Sequence, residues 1–339
     1  MRAFVVTAPR EASVQEVDAP VPSTGELLVD VERVGICGTD VEFYTGEMAY
    51  LGQGLTHFPL RLGHEWTGTV SGVGEGVSEA WIGRRVTGDT MLGCGHCRFC
   101  LAGVHHVCPN RFEVGVQDGW HGALAEQMLI PERFAYEIPA SVSVTAAALV
   151  EPGGNSLRAV DAAALDPGQS LAILGSGTIG LLAAQFALAR GLDVHIAGVR
   201  ESSLQLARDL GVEHTWQLHE VASAGIPFAA VIDATSQADA PALAAKLVDP
   251  AGRIVFIGLS GTPSLVDSRE LALKDVTAVG ILSASPGLAG AIGLFASGEV
   301  VPDPIVSDVV GLEGVADALE GRRSATAGPG PQIHVDPRS

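Results

Sequence analysis

Residues 170–190 constrain the fold of this chain more than any other segment. The run Leu171-Ala172-Ile173-Leu174 is apolar and strand-like, Gly175-Ser176-Gly177-Thr178-Ile179-Gly180 follows at once, and residues 181–190 read as an apolar helix. In a chain with 42 glycines such spacing means little by itself. Between a strand and a helix the three glycines acquire separate uses: a tight turn, room for a ligand to approach the backbone, and close packing of helix on sheet. The helix start adds unpaired N–H groups and a partial positive charge, which suit a phosphate. The segment predicts a doubly wound parallel (Rossmann) sheet that cradles a dinucleotide pyrophosphate on residues 175–180.

A dinucleotide that lacks a 2′-phosphate needs a carboxylate about 20 residues further on, at the end of the second strand. Gly198 stands there instead, and Arg200 places a guanidinium beside the vacated space, suited to bidentate contact with a 2′-phosphate. These residues favour NADP(H), while Glu201, next along, leaves an NAD ribose contact open.

Upstream, short extended runs at residues 3–7, 26–34, 65–73, 85–88 and 125–130 are separated by Gly, Pro and Asp turns, an antiparallel, barrel-like pattern. From about residue 151 strands at 170–174, 193–199, 229–234, 253–259 and 276–282 alternate with Ala- and Leu-rich helices, and 214–217 makes a sixth strand. The expected domains are 1–152, 153–285, and a segment 286–339 that returns to the first. A length of 339 residues exceeds the roughly 100–200 of one domain, and 47% apolar content can fill two cores.

Acidic residues outnumber Lys plus Arg by 39 to 20, giving a net charge of −19, and lysine occurs only at Lys246 and Lys274. That balance opposes binding to nucleic acid or anionic membranes, which need clustered cations. Uncharged runs at 167–189 and 276–298 reach the length of about 20 apolar residues that a bilayer requires. Glycines in the first run, and Ser283, Ser285 and Pro286 in the second, make each read as a strand, a turn and a helix. The first residues show no signal-peptide core, and a cytoplasmic protein is expected.

The five cysteines divide into two groups. Cys94, Cys97, Cys100 and Cys108 form a C-x2-C-x2-C-x7-C set, which suits a closed tetrahedral zinc site in a lobe at about residues 91–112. Cys37 stands apart in Gly35-Ile36-Cys37-Gly38-Thr39-Asp40, and Gly63-His64-Glu65 follows. A thiolate, an imidazole and a carboxylate leave a fourth position open, the mark of a catalytic zinc. Glu151-Pro152 adds a further carboxylate at the domain junction.

With these motifs together and in this order, the chain resembles the zinc-dependent medium-chain dehydrogenase/reductase family over nearly its full length. The resemblance implies an α/β architecture: a GroES-like antiparallel β-barrel catalytic domain plus a Rossmann domain, with the active site in the cleft between them. In the family's alcohol dehydrogenase branch a cysteine stands where this chain has Glu151, so the chain looks closer to the polyol, glucose and threonine dehydrogenase branches. Carried over, Cys37 and His64 would bind zinc throughout the cycle, Glu65 and Glu151 would share the remaining role, and Asp40 would stand behind the ligands. The implied oxidoreductase chemistry is hydride transfer from an alcohol to nicotinamide, with Thr39 in the proton relay and Glu42 at its far end or on a substrate hydroxyl. Tyr44, Trp66, Trp120, His121 and Asn155 are pocket candidates by position. Two zinc ions per chain and a homo-oligomer, dimer or tetramer, also follow from the resemblance. The expected substrate is a secondary alcohol of a polyol, sugar or related hydroxylated metabolite. An amino alcohol of the threonine or aminocyclitol type is the alternative within the class, and a non-catalytic zinc-binding interaction protein the alternative outside it.

Overall fold

The structure, a computed structural model, describes residues 1–117 and 119–339. The chain forms two compact units. The first comprises Met1–Glu151, Val306–Gly328 and Gln332–Ser339. Its main sheet has seven strands, with Val306–Val310, Gln332–Val335, Glu26–Ile36, Glu65–Val73, Arg85–Gly88 and Ala135–Glu137 side by side, and Gln127–Pro131 also paired to Glu26–Ile36. Pairing is antiparallel throughout except between Val306–Val310 and Gln332–Val335.

Strand period explains the core. Along Glu26–Ile36 every second residue, Leu27, Val29 and Val31, is fully buried. Each such side chain contributes about 1.5–3 kcal/mol on leaving water. The strand Glu65–Val73 is covered on both faces near its start, so the adjacent Glu65 and Trp66, which point opposite ways, are both buried.

The second unit comprises Pro152–Ile305 and Pro329–Pro331. Its six-stranded parallel sheet runs His214–Gln217, Asp193–Gly198, Ser170–Leu174, Phe228–Asp233, Val248–Phe256 and Thr277–Gly280 in spatial order. The order reverses beside Ser170–Leu174, the Rossmann arrangement with its switch point there. The helix Leu288–Ser297 belongs to this unit, where Phe295 stacks on Phe186 at 5.9 Å. The chain therefore rejoins the first unit at Val306, later than the expected residue 286, because this apolar helix packs on the Rossmann core. Among the described residues no helix is long and apolar enough to cross a membrane. Both uncharged runs resolve into a strand followed by a helix.

Candidate active site

The first unit brings three of the predicted ligands together: donor atoms of Cys37, His64 and Glu65 all lie within 4.8 Å of one another. Cys37 caps the helix Gly38–Thr45, and its sulfur accepts from the Thr39 backbone N–H at 3.3 Å. His64 Nε2 faces that sulfur at 3.3 Å. Asp40 ties the two ligand loops: one carboxylate oxygen accepts from Cys37 N at 3.0 Å, the other from Gly63 N at 3.2 Å. It also lies 3.7 Å from His64 Nδ1, a buried atom with no hydrogen-bond partner among the described residues. A carboxylate behind the ring is what orients a ligating imidazole.

The donor set fits a cation and is strained without one. Burial, then the charge of Asp40, pushes the Cys37 thiol up to about 12, although Thr39 bonds pull it back. Burial, then Cys37, likewise raises the Glu65 carboxyl well above its ordinary range. Burial disfavours protonation of His64, but Asp40, Glu151 and Glu65 outweigh it and raise its pKa. Crowded acidic groups of this kind release their protons when a divalent ion supplies the missing charge. Glu151 is buried and acts electrostatically on all three residues, but it is not a member of the close trio.

Sequence reasoning did not find Gln332. Its amide donates to Glu65 Oε2 at 2.5 Å, and both side chains are buried. Beneath them lies Gly35, where any Cβ would collide with both groups. The contact joins residues 267 apart. No local pattern marks it.

The four-cysteine lobe closes as its spacing predicts. Sulfur pairs Cys97–Cys100 and Cys97–Cys108 stand at 3.6 Å and Cys94–Cys100 at 3.9 Å. The edge of a tetrahedron with zinc–sulfur arms of about 2.3 Å is about 3.8 Å. A backbone hydrogen bond at His96 lowers the Cys94 thiol to about 6, while burial raises Cys100 to about 11. A third cluster, Asp193, His195 and His214, has donor atoms equally close. There Trp216 donates to His195 Nδ1 at 3.2 Å, which leaves the ring proton on Nε2 and no lone pair for a metal.

In the second unit each glycine of the loop has its own reason. Gly175 has φ +107°, a Cβ at Gly180 would strike the carbonyl of Gly175, and Gly177 faces open space at the start of the helix Thr178–Ala189. That helix has no side-chain cap at Gly177, and a helix start is where backbone N–H groups suit phosphate oxygens. Ser176 and Ile179 lie within the same turn, and Ser176 fills the space a side chain at Gly198 would need. Arg200, extended and exposed, follows two residues on.

Other predicted residues separate. Thr39 is half-buried beside the Cys37 sulfur, and Glu42 is half-buried on the same helix with its pKa raised by burial and then by Glu47. Trp66 lies in the hydrophobic core, and Tyr44 is buried with its hydroxyl donating to Glu320 at 3.0 Å, so neither forms an open wall. Asn155 is half-buried on the helix Val150–Ala163. Trp120 and His121 line a cavity together.

Two family models match the chain, the alcohol dehydrogenase GroES-like domain over residues 23–140 and zinc-binding dehydrogenase over residues 178–297. An L-threonine 3-dehydrogenase of Vibrio vulnificus is 33% identical, covering 78% of this chain and 79% of its own. The chain belongs to the zinc-type medium-chain dehydrogenase/reductase family. Two solved structures have nearly the same fold. A protein described as a short chain alcohol dehydrogenase (rspB) of Escherichia coli, complexed with NADH, superposes with TM-score 0.89 at 26% identity. A zinc-binding dehydrogenase of Sinorhizobium meliloti, bound to NADP, does so with TM-score 0.90 at 28% identity. Each alignment covers 99% of both chains. As a member, the chain is a zinc-dependent, NAD(P)-dependent alcohol dehydrogenase by type.

Proposed function

We propose that this chain oxidises a secondary alcohol of a polyol, sugar or related hydroxylated metabolite, with NADP as the favoured acceptor. The observation that carries this reading is the convergence of Cys37, His64 and Glu65, with Gln332 holding the carboxylate. We assign the catalytic zinc to these three, with Glu151 close behind, and a structural zinc to Cys94, Cys97, Cys100 and Cys108. When bound, the catalytic ion supplies Lewis acidity that makes the substrate hydroxyl easier to deprotonate. The chain's own groups do the rest. Asp40 fixes the ring of His64, Thr39 takes the hydroxyl proton outward, and Glu42, half-buried, accepts it or binds a second substrate hydroxyl. Residues 175–180 hold the pyrophosphate on helix N–H groups, and Arg200 meets the 2′-phosphate.

The experiment is nicotinamide absorbance with a polyol and sugar panel, with both cofactors, before and after chelation. Undiminished turnover by the zinc-stripped enzyme would sink the assignment. Replacing Arg200→Ala should raise KM for NADP about tenfold and leave NAD within about twofold. Equal loss with both cofactors would remove Arg200 from the 2′-phosphate site. The threonine dehydrogenase relative supports a second reading, an amino alcohol substrate. Turnover confined to amine-bearing members of the panel would select it.

A homo-oligomer is part of the proposal. The edge strand Thr277–Gly280 is paired on one side only, and Leu259, Leu265 and Leu273 nearby in sequence are strongly exposed. Such an edge with exposed apolar groups is suited to burial against a second copy. Five free cysteines used as zinc ligands suit a reducing compartment, which we take to be the cytoplasm.

A further inference from the structure

Arg61 differs from its neighbours in the first unit. It is half-buried, and among the described residues its guanidinium makes no hydrogen bond or ion pair; burial alone acts on it, lowering its pKa. Carboxylates are abundant in a chain with 39 of them against 20 Lys and Arg. Arg2, Arg84, Arg85 and Arg111 each hold one in the same unit. A guanidinium has five donors and no acceptor, so partial burial without an acceptor costs stability that nothing among the described residues returns.

The space around Arg61 has the form of a small-molecule site. One cavity of about 360 Å³ is lined by Thr56, His57, Arg61, Trp120 and His121 among others, and a neighbouring one of about 250 Å³ shares Arg61, Trp120 and His121. Trp120 is fixed there: its indole N–H donates to Leu129 O at 3.2 Å and its ring packs on Phe112 at 5.6 Å. The Thr56 hydroxyl is buried with no partner among the described residues. His121 is held towards its neutral form by burial and by the charge of Arg61. Glu26, in the second cavity, is engaged with the Ser23 backbone N–H at 2.9 Å. The result is one cation with free donors, an aromatic wall and an unpaired hydroxyl, in a chain whose overall charge repels anions.

We infer that the cavity around Arg61 binds a small molecule carrying a carboxylate or phosphate group, with Arg61 as its anion receptor. None of the lining residues is a zinc ligand, so the inference does not depend on the catalytic assignment. The anion belongs either to the substrate or to a separate effector, and the same variants distinguish the two.

The test is calorimetric titration of the zinc-loaded enzyme with inorganic phosphate, gluconate, sorbitol 6-phosphate and uncharged sorbitol. Saturable binding of at least one anion is expected, weakening about tenfold or more in Arg61→Gln and recovering in part in Arg61→Lys. The melting temperature of Arg61→Gln should equal or exceed that of the parent, because the lost cation had no partner. If the anion is part of the substrate, Arg61→Gln raises KM for the acidic substrate alone. If it is an effector, anion binding persists with substrate saturating. No saturable binding of any anion up to about 10 mM, or equal binding by parent and Arg61→Gln, overturns the inference.

Discussion

The two cysteine sites of the first unit are built by opposite strategies. The lobe draws all its ligands from one short segment, Cys94 to Cys108, whose sulfurs approach one another through local turns. The other site draws Cys37 from the start of the helix Gly38–Thr45 and the adjacent His64 and Glu65 from the start of the strand Glu65–Val73, is tied by Asp40, and is completed by Gln332. Proton affinities cut across that division in the lobe and lie on one side in the other site. In the lobe local backbone donors lower Cys94 to about 6 while burial raises Cys100 to about 11, and at the other site burial, then Asp40, pushes Cys37 up to about 12. Each site holds a thiol whose raised proton affinity a bound cation would offset, and the tertiary one adds the raised carboxyl of Glu65. The first arrangement suits anchoring and the second suits a centre whose ligands must be tuned.

The largest effect should come from breaking the tertiary site. Cys37→Ser is expected to lower kcat by about a thousandfold or more. Metal content should fall by one ion per chain while the melting temperature changes little. Elemental analysis with steady-state kinetics checks this, and retained turnover would remove Cys37 from the centre. Next in size is a contrast in reactivity. In chelator-stripped enzyme, Cys94 is ionised above about pH 6 and should alkylate at a rate already level by pH 7.5, while Cys37 stays a thiol and its rate still climbs beyond pH 10. Peptide mapping at pH 7.5 should show Cys37 slower by about a hundredfold or more. Similar rates would erase the electrostatic distinction between the sites.

Sequence alone revealed the local site more fully than the tertiary one. The lobe follows from spacing, because a tetrahedral ion leaves few ways to place four sulfurs within so short a segment. The strand Ser170–Leu174 and the glycine loop were equally legible, since period and punctuation agree there. Cys37, His64 and Glu65 stood out by residue type and motif, yet nothing local joins Gln332 to Glu65. Trp66 is a pocket candidate by position, but strand alternation turns it to the face opposite Glu65, into the core. That the Arg61 side chain has no partner among the described residues was invisible, because it depends on which carboxylates do not reach it.

Gln332→Leu probes the tertiary site through its support. Leucine keeps the burial but leaves Glu65 without the amide that fixes Oε2. Loss of such a supporting bond typically lowers metal affinity about 10- to 100-fold. A chromophoric chelator competing for the catalytic zinc, together with the visible spectrum of the cobalt-substituted enzyme, reads the effect directly. An unchanged affinity and spectrum in Gln332→Leu would make the contact structural only.

The smallest effect on catalysis should come from the lobe. Its base is closed by the hairpin of Met91–Leu92 and Phe112–Glu113, and Arg133 donates to Gly93 O at 2.9 Å, so its metal braces a surface segment of the first unit. Cys100→Ser removes one arm of that tetrahedron. Loss of a structural zinc removes folding energy directly, and a fall of about 5–10 °C in melting temperature is expected, with one ion fewer per chain. The ligands at Cys37, His64 and Glu65 are held by Asp40 and Gln332, none of which belongs to the lobe. Turnover per folded molecule should therefore stay within about threefold of the parent at temperatures below the new transition. If kcat instead falls with the lobe metal while the protein remains folded, the two sites are coupled, and local assembly in the lobe would then tune the tertiary site as well as anchor its own segment.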